Sequence, residues 1–327
     1  MPSLTRSALC ATLAIAALAI QPAGAQQTPE QIVNVMNKLW GSHAGYRANH
    51  AKGIVVEGIF TPTKQAATLS KASLFTGAAI PVTVRFSDST GLPTLPDGNP
   101  NANPHGMSIK FHLPDGTEAD IVTNSLKTFP VATPEDFRDL LTALSESGPG
   151  SKKPTKADQF IAAHPAAPKA FGSLATPSSF ARETYNGVDA FIFVSAAGVR
   201  QPFRFRLDPA AGTDHLAPAA AAKLPPNFLM TELPARLARE KPVFKLMAQL
   251  ANPGDPTKDP TQAWPADRKL AEIGTITLTK AVADSDDAQK KLLFLPTNLP
   301  AGIEPSDDPL IEARAEAYAI SFSRRAQ

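Results

Sequence analysis

A succession of short β-like runs, each closed by Gly, Pro, Asp or Asn, most constrains what this chain can fold into. Gly53 to Phe60, Ile80 to Phe86, Met107 to Leu113 and Ala119 to Thr123 follow one another with turn residues between them, the pattern of consecutive strands joined by turns. Further along, Ala190 to Ser195 and Gln201 to Leu207 are separated by Ala196-Ala197-Gly198-Val199-Arg200, which suits a hairpin. In the second run Phe203 and Phe205 alternate with Arg204 and Arg206. Ile273 to Thr279 adds another strand. Short antiparallel strands in this number remove their exposed edges by closing into a barrel. The 32 prolines agree, because they favour turns and ordered loops over long helices.

Helical patterning is confined to the flanks and gaps. Ile32, Val33, Met36 and Leu39 recur at helical spacing within Thr28 to Ala44. Pro134 to Leu144 is a short amphipathic helix with Thr133 as its cap and Pro134 at the first helical position. Ala157 to Phe171 reads as helical in part, Pro226 to Leu250 carries helical patterning, and Leu310 to Phe322 forms the last helix. Asp88 to His105 is ordered irregular chain, and there is no internal repeat.

Charge narrows the function. With 32 Lys+Arg against 30 Asp+Glu the net charge is +2, without the basic excess that nucleic-acid binding needs. Hydrophobic content of 43% suits a chain that buries a sizeable core. Arg6, the apolar stretch Ala8 to Ile20 and the small-residue site Ala23-Gly24-Ala25 read as a cleaved secretory signal over residues 1–25. The expected product is one domain, residues 26–327, exported to the bacterial periplasm with no membrane span. Cys10, the only cysteine, falls inside the removed segment, so cysteine-based peroxide chemistry is excluded.

The motifs are more specific. GYRANHAKG, Gly45 to Gly53, sets Arg47 three residues before His50 and leads to Gly58 and Phe60. VRFS at Val84 to Ser87, HGMSIKF at His105 to Phe111, DIVTN at Asp120 to Asn124, and GIEPSDDPLIEARAEAY ending at Tyr318 follow in order. Together they resemble the haem catalase superfamily across nearly the whole mature chain, and the shortness of the chain points to its smaller catalase-related peroxidases. The resemblance implies an α+β fold: an eight-stranded antiparallel β-barrel with flanking helices, and haem b (iron protoporphyrin IX) between the barrel and the C-terminal helix.

A haem peroxidase needs an electron-donating axial ligand on one face of the iron and a proton-moving base on the other. By the resemblance Tyr318 is the metal ligand and His50 the base, a role suited to an imidazole with an ordinary pKa of about 6.5. Arg314 lies four residues before Tyr318 on the same helical face, within reach of a phenolate. Propionates favour guanidinium partners, and the resemblance assigns Arg47, Arg85 and Arg325 to them, with Arg324 as the alternative to Arg325. Ser87 matches the serine that orients the histidine, and Phe129 and Phe137 match pocket aromatics. The family's distal amide falls at Ser125 without gaps, so either Asn124 reaches the site by a small shift or a hydroxyl serves. His43 and His105 lack metal-ligand spacing and read as structural or solvated, and His164 and His215 as exposed.

The expected activity is reduction of organic hydroperoxides or hydrogen peroxide by a small organic electron donor. A true catalase, a non-catalytic haem carrier and a fatty-acid hydroperoxide rearranging enzyme are the alternatives. The resemblance further implies a monomer or small homo-oligomer without a nicotinamide site.

Overall fold

The computed structural model describes residues 27–325; the expected leader and Cys10 lie outside them. Four strands come first, β1 (Gly53–Pro62), β2 (Ile80–Asp88), β3 (His105–His112) and β4 (Glu118–Asn124), each antiparallel to the one before. Tyr185–Asn186 continues the sheet from β4 to Arg200–Pro209, which pairs with Val243–Leu250; that strand pairs with Leu270–Ala281, and the last returns to β1. Eight antiparallel strands thus close on themselves. Phe191–Val194 and Ile303–Pro305 extend the sheet beside Arg200–Pro209.

The barrel is filled rather than hollow. Phe60, Phe86, Phe111, Phe203, Phe244 and Tyr185 are fully buried, with Ile, Val and Leu between them. Their rings meet edge-on or stacked, as at Phe60 and Phe111, whose centroids are 5.2 Å apart at 89°. Because side chains alternate along a strand, the residues between these aromatics point outward. On β1 the short helix Ser285–Lys291 packs, and three further helices pack on one another. Gln27–Trp40 lies against Pro134–Ser145 and the C-terminal helix Pro309–Arg325, with Thr28 Oγ1 donating to Glu135 at 3.0 Å. Thr133 caps the second of these, accepting from the Asp136 amide, as its sequence indicates. Among the described residues no helix is long and apolar enough to cross a membrane.

Two expectations fail locally. The helical patterning of Pro226 to Leu250 is helix only over Phe228–Leu237; Val243–Leu250 is a barrel strand with alternating burial. Its Lys, Leu, Met, Ala and Gln are good helix formers, but pairing on both edges outweighs so small a propensity. Arg204, expected on an outward polar face, is buried. The segment after Leu250 folds over it: Arg204 donates to the Gln262 carbonyl at 2.7 Å and stacks 4.5 Å from the Trp264 ring.

Gly274, on Leu270–Ala281, marks a tight point of the barrel. Any Cβ there would lie inside the Phe60 ring edge and against the Thr61 carbonyl. Gly274→Ala is therefore expected to destabilise the fold by about 1–3 kcal/mol through overpacking, measured as a lower urea midpoint at unchanged slope. An unchanged midpoint would show that Phe60 can swing aside.

Candidate active site

The distal residues are delivered by strand register. Gly53 pairs with Ser87, Ser87 with Gly106, and Gly106 with Asn124, forming one row across β1 to β4 on the outer face of the barrel. Directly opposed Cβ atoms in such a row are only about 4.5–5.5 Å apart. His50 precedes β1 and swings over this row, its Nδ1 3.0 Å from Ser87 Oγ. The ring lies against Gly106: a Cβ there would come within 2.9 Å of Ser87 Oγ and 3.0 Å of His50 Nδ1. Glycine at this position makes room for the imidazole, a requirement that HGMSIKF carries without announcing.

His50 has φ of 57°, the one non-glycine left-handed residue among those described. Strain of this kind persists where the surroundings over-determine it. The His50 amide donates to Asn49 Oδ1 at 2.8 Å, the His50 carbonyl accepts from Arg85 at 2.8 Å, and the Ala51 amide donates to the Thr90 carbonyl at 2.8 Å. Lys52 ties the same turn to the rest of the molecule, donating to the Leu95 and Pro226 carbonyls at 2.9 Å each and pairing with buried Asp97. Lys52 is thus structural. So is His105, fully buried with Nδ1 3.2 Å from Asp88.

The register also decides between the two distal candidates. Ser125 is occupied: its Oγ accepts from the His105 amide at 3.0 Å and its amide donates to the His105 carbonyl. Asn124 lines the cavity, its Oδ1 accepting from the Leu126 amide at 2.8 Å. With the oxygen engaged, the amide nitrogen is left to donate.

Opposite the row stands the C-terminal helix. Arg314, Tyr318 and Arg325 are spaced by four and seven residues and share one face. Arg314 forks onto the tyrosine, with Nε 3.1 Å and one terminal nitrogen 3.0 Å from the Tyr318 oxygen. His50, Asn124, Phe129, Phe137, Arg47, Arg314, Tyr318 and Arg325 all line one cavity of about 740 Å³. Phe129 and Phe137 pack together at 5.2 Å. Arg324 points away, to Asn34 and Glu30, whereas Arg325 lines the cavity.

Arg85 takes a different place from the one expected. It does not line the cavity but lies behind the wall, held by Gln289 Oε1 at 2.8 and 3.0 Å and supporting the His50 and Ala51 carbonyls. Gln289 belongs to the helix Ser285–Lys291, which sequence patterning missed for want of apolar periodicity.

Arg47, Arg85 and Arg325 have no carboxylate in ion-pair contact among the described residues; Arg47 and Arg325 both donate to the Leu292 carbonyl. Burial, and then Arg325, brings Arg85 down to about 9; burial brings Arg325 to about 10 and, followed by its two neighbours, lowers Arg47 well below its usual range. A guanidinium keeps its proton in a protein, so burial leaves these charges poorly compensated, with Asp88 and Asp286 offsetting part of it at Arg85. A ligand bearing carboxylates at this end of an apolar cavity fits the donor set, as the propionates of a haem do.

A sequence profile of the catalase family matches residues 31–326. The chain belongs to the catalase family. It is 34% identical over 302 residues to a catalase-related peroxidase of Mycolicibacterium paratuberculosis, covering 91% of this chain and 95% of that one. A catalase-related peroxidase of Synechococcus elongatus is 32% identical over 98% of this chain and 94% of its own. A solved fungal catalase superposes with a TM-score of 0.76 at 20% identity, over 87% of this chain and 60% of that one. The catalase fold expected from the motifs is the one observed, and the catalase family binds haem.

Burial foremost, then Arg85, Arg314, Arg47 and His105, push His50 down from 6.5 to about 3. Its imidazole is therefore neutral in the fold. Below pH 6.5 the unfolded chain takes up a proton that the fold refuses, so stability falls as pH drops from 6.5 toward 3, by about 1.4 kcal/mol per unit. Urea unfolding of the haem-free protein at pH 6.5 and pH 5 checks this: wild type is expected to lose about 2 kcal/mol more than His50→Gln, for which that linkage is gone. Equal losses would mean that His50 accepts its proton while folded.

Proposed function

We propose that the protein is a haem b peroxidase that reduces organic hydroperoxides, or hydrogen peroxide, with electrons from a small organic donor. The observation that carries this reading is one cavity shared by a neutral imidazole from the turn before β1 and an arginine-bonded phenol from the C-terminal helix. Bound haem supplies two-electron redox chemistry at its iron. Tyr318 would hold the iron through its phenol oxygen, whose charge as a phenolate Arg314 would answer. Arg47 and Arg325 would hold the propionates, and Arg85 would add its field from behind the wall.

On the peroxide side the chain's own residues move one proton. With Nδ1–H donated to Ser87 Oγ, the His50 Nε2 lone pair accepts the proton of the inner peroxide oxygen and returns it to the outer one. The Asn124 amide donates to the peroxide and fixes its approach. The overall change takes ROOH to ROH and water, the donor supplying two electrons and two protons.

Peroxidase is favoured over catalase by the cavity edge. Leu144 and Phe171, each 39% exposed, give it an apolar rim suited to organic molecules. The two peroxidase relatives, matched over almost their full lengths, support the same choice. A haem carrier would have no use for the strained backbone of His50.

Oxidation of a dye by cumene hydroperoxide tests the reading. His50→Ala is expected to lower kcat by about 10²–10⁴-fold, and Tyr318→Phe to alter the ferric absorption spectrum. An unaltered spectrum would remove Tyr318 as ligand. Oxygen evolution from hydrogen peroxide that outruns dye oxidation would move the assignment to catalase. Export to the periplasm belongs to the same proposal, and N-terminal sequencing of the periplasmic protein should begin at Gln26.

A further inference from the structure

The charge that faces Arg314 comes from a residue that no motif contains. Asp189 lies between the buried Val188 and Ala190, just ahead of the strand Phe191–Val194, and its side chain is 3% exposed. Its Oδ2 pairs directly with one terminal nitrogen of Arg314. The other edge of the same guanidinium, Nε and the second terminal nitrogen, meets the Tyr318 oxygen at 3.1 and 3.0 Å. A planar guanidinium held at both edges has no freedom left to rotate.

We infer that Asp189 is the positioning residue for Tyr318: its carboxylate fixes and neutralises the Arg314 guanidinium, so that the tyrosine oxygen receives a fixed two-pronged hydrogen bond rather than an unbalanced positive charge. The inference rests on the reading of Tyr318 as axial ligand.

A second carboxyl stands close enough to compete for the same role, and its surroundings exclude it. Asp308 caps the C-terminal helix, its Oδ1 accepting from the Leu310 amide at 2.9 Å. Asp308 Oδ2 and Asp189 Oδ1 are both buried without a partner. Burial, and then Asp189, raise the Asp308 carboxyl to about 7. Arg204, the other cation near them, is spent on the carbonyls of Gln262, Pro256 and Asp259. Two adjacent buried acids hold a single charge most easily, and the one in contact with a guanidinium keeps it.

The contrast with the other end of the cavity gives the role its content. Arg47 and Arg325 face the cavity with no carboxylate in ion-pair contact among the described residues, whereas Arg314 already has one from the chain. An outer-shell carboxylate on the partner of a ligating oxygen makes that oxygen more electron-rich, and such partners tune metal sites through the ligand they orient. Removing it leaves Arg314 with its full charge, which withdraws electron density from the phenolate and favours the ferrous state.

The test uses the full haem-loaded chain as wild type, Asp189→Asn, Asp189→Glu, Asp308→Asn and Tyr318→Phe at pH 6, reading the ferric absorption spectrum and the ferric/ferrous midpoint potential, with haem-free melting curves alongside. Asp189→Asn is expected to shift the equilibrium at least tenfold toward ferrous, about 59 mV upward for a one-electron couple. Asp189→Glu should recover at least half of that shift, and Asp308→Asn should move it by less than twofold. A merely structural Asp189 would lower the haem-free melting temperature and leave the potential in place, which overturns the inference. A shift in Asp308→Asn without one in Asp189→Asn overturns it as well. Should Asp189→Asn not fold, Asp189→Ser carries the same expectation and the same refutation. An unchanged spectrum in Tyr318→Phe refutes the axial-ligand reading instead, whereas a changed one with no effect at Asp189 refutes this inference alone.

Discussion

The site depends on a register. Four antiparallel strands put Gly53, Ser87, Gly106 and Asn124 side by side, and every distal feature follows from that row. Ser87 reaches the His50 ring because the ring can lie over a glycine, and Asn124 enters the cavity because its partner across the ladder is that same glycine. A slip of one residue on any of these strands would replace the polar row with Phe86 and Met107, which belong to the barrel interior. The aromatic filling therefore guards the row: rings that must lie inside hold Ser87 and Asn124 outside. Barrel packing and active-site geometry are one constraint seen from two faces of a sheet.

Electrostatics divides the cavity into two ends with opposite needs. At one end Arg47 and Arg325, with Arg85 behind the wall, are met by carbonyls and an amide oxygen, which stabilise a cation without neutralising it. Guanidiniums placed in this way suit a ligand that carries carboxylates. At the other end Arg314 is answered within the chain, by Asp189 and the Tyr318 oxygen. The field of these arginines falls also on His50, and with burial it keeps the imidazole neutral.

Much of this was legible from residue order. The short strands, the Thr133 cap, and the common face of Arg314, Tyr318 and Arg325 are local properties with periods of two or 3.6 residues. What escaped was set by contact at long range. Val243–Leu250 is rich in helix formers and became a strand because the barrel had a gap of that width. Arg204 alternates correctly with its neighbours but is buried by a segment that folds back from Leu250. Arg85 has the charge for a propionate partner and is spent instead on the carbonyls beneath His50. Asp189 sits between apolar residues with no motif around it, and only the approach of the C-terminal helix gives it a partner.

By itself the sequence determined the chemical inventory and its local order: a histidine in a glycine-rich turn, a tyrosine one helical turn past an arginine, strands of alternating character and a chain without a thiol beyond Cys10. These follow from backbone preference and side-chain chemistry, which act over a few residues. The tertiary structure alone decided which of Asn124 and Ser125 enters the cavity, which arginines face a ligand and which prop a backbone, and which carboxylate answers Arg314. Each is a question of what lies a few ångströms away across the fold, and hydrogen-bond geometry and charge balance there depend on distance in space, not on separation along the chain.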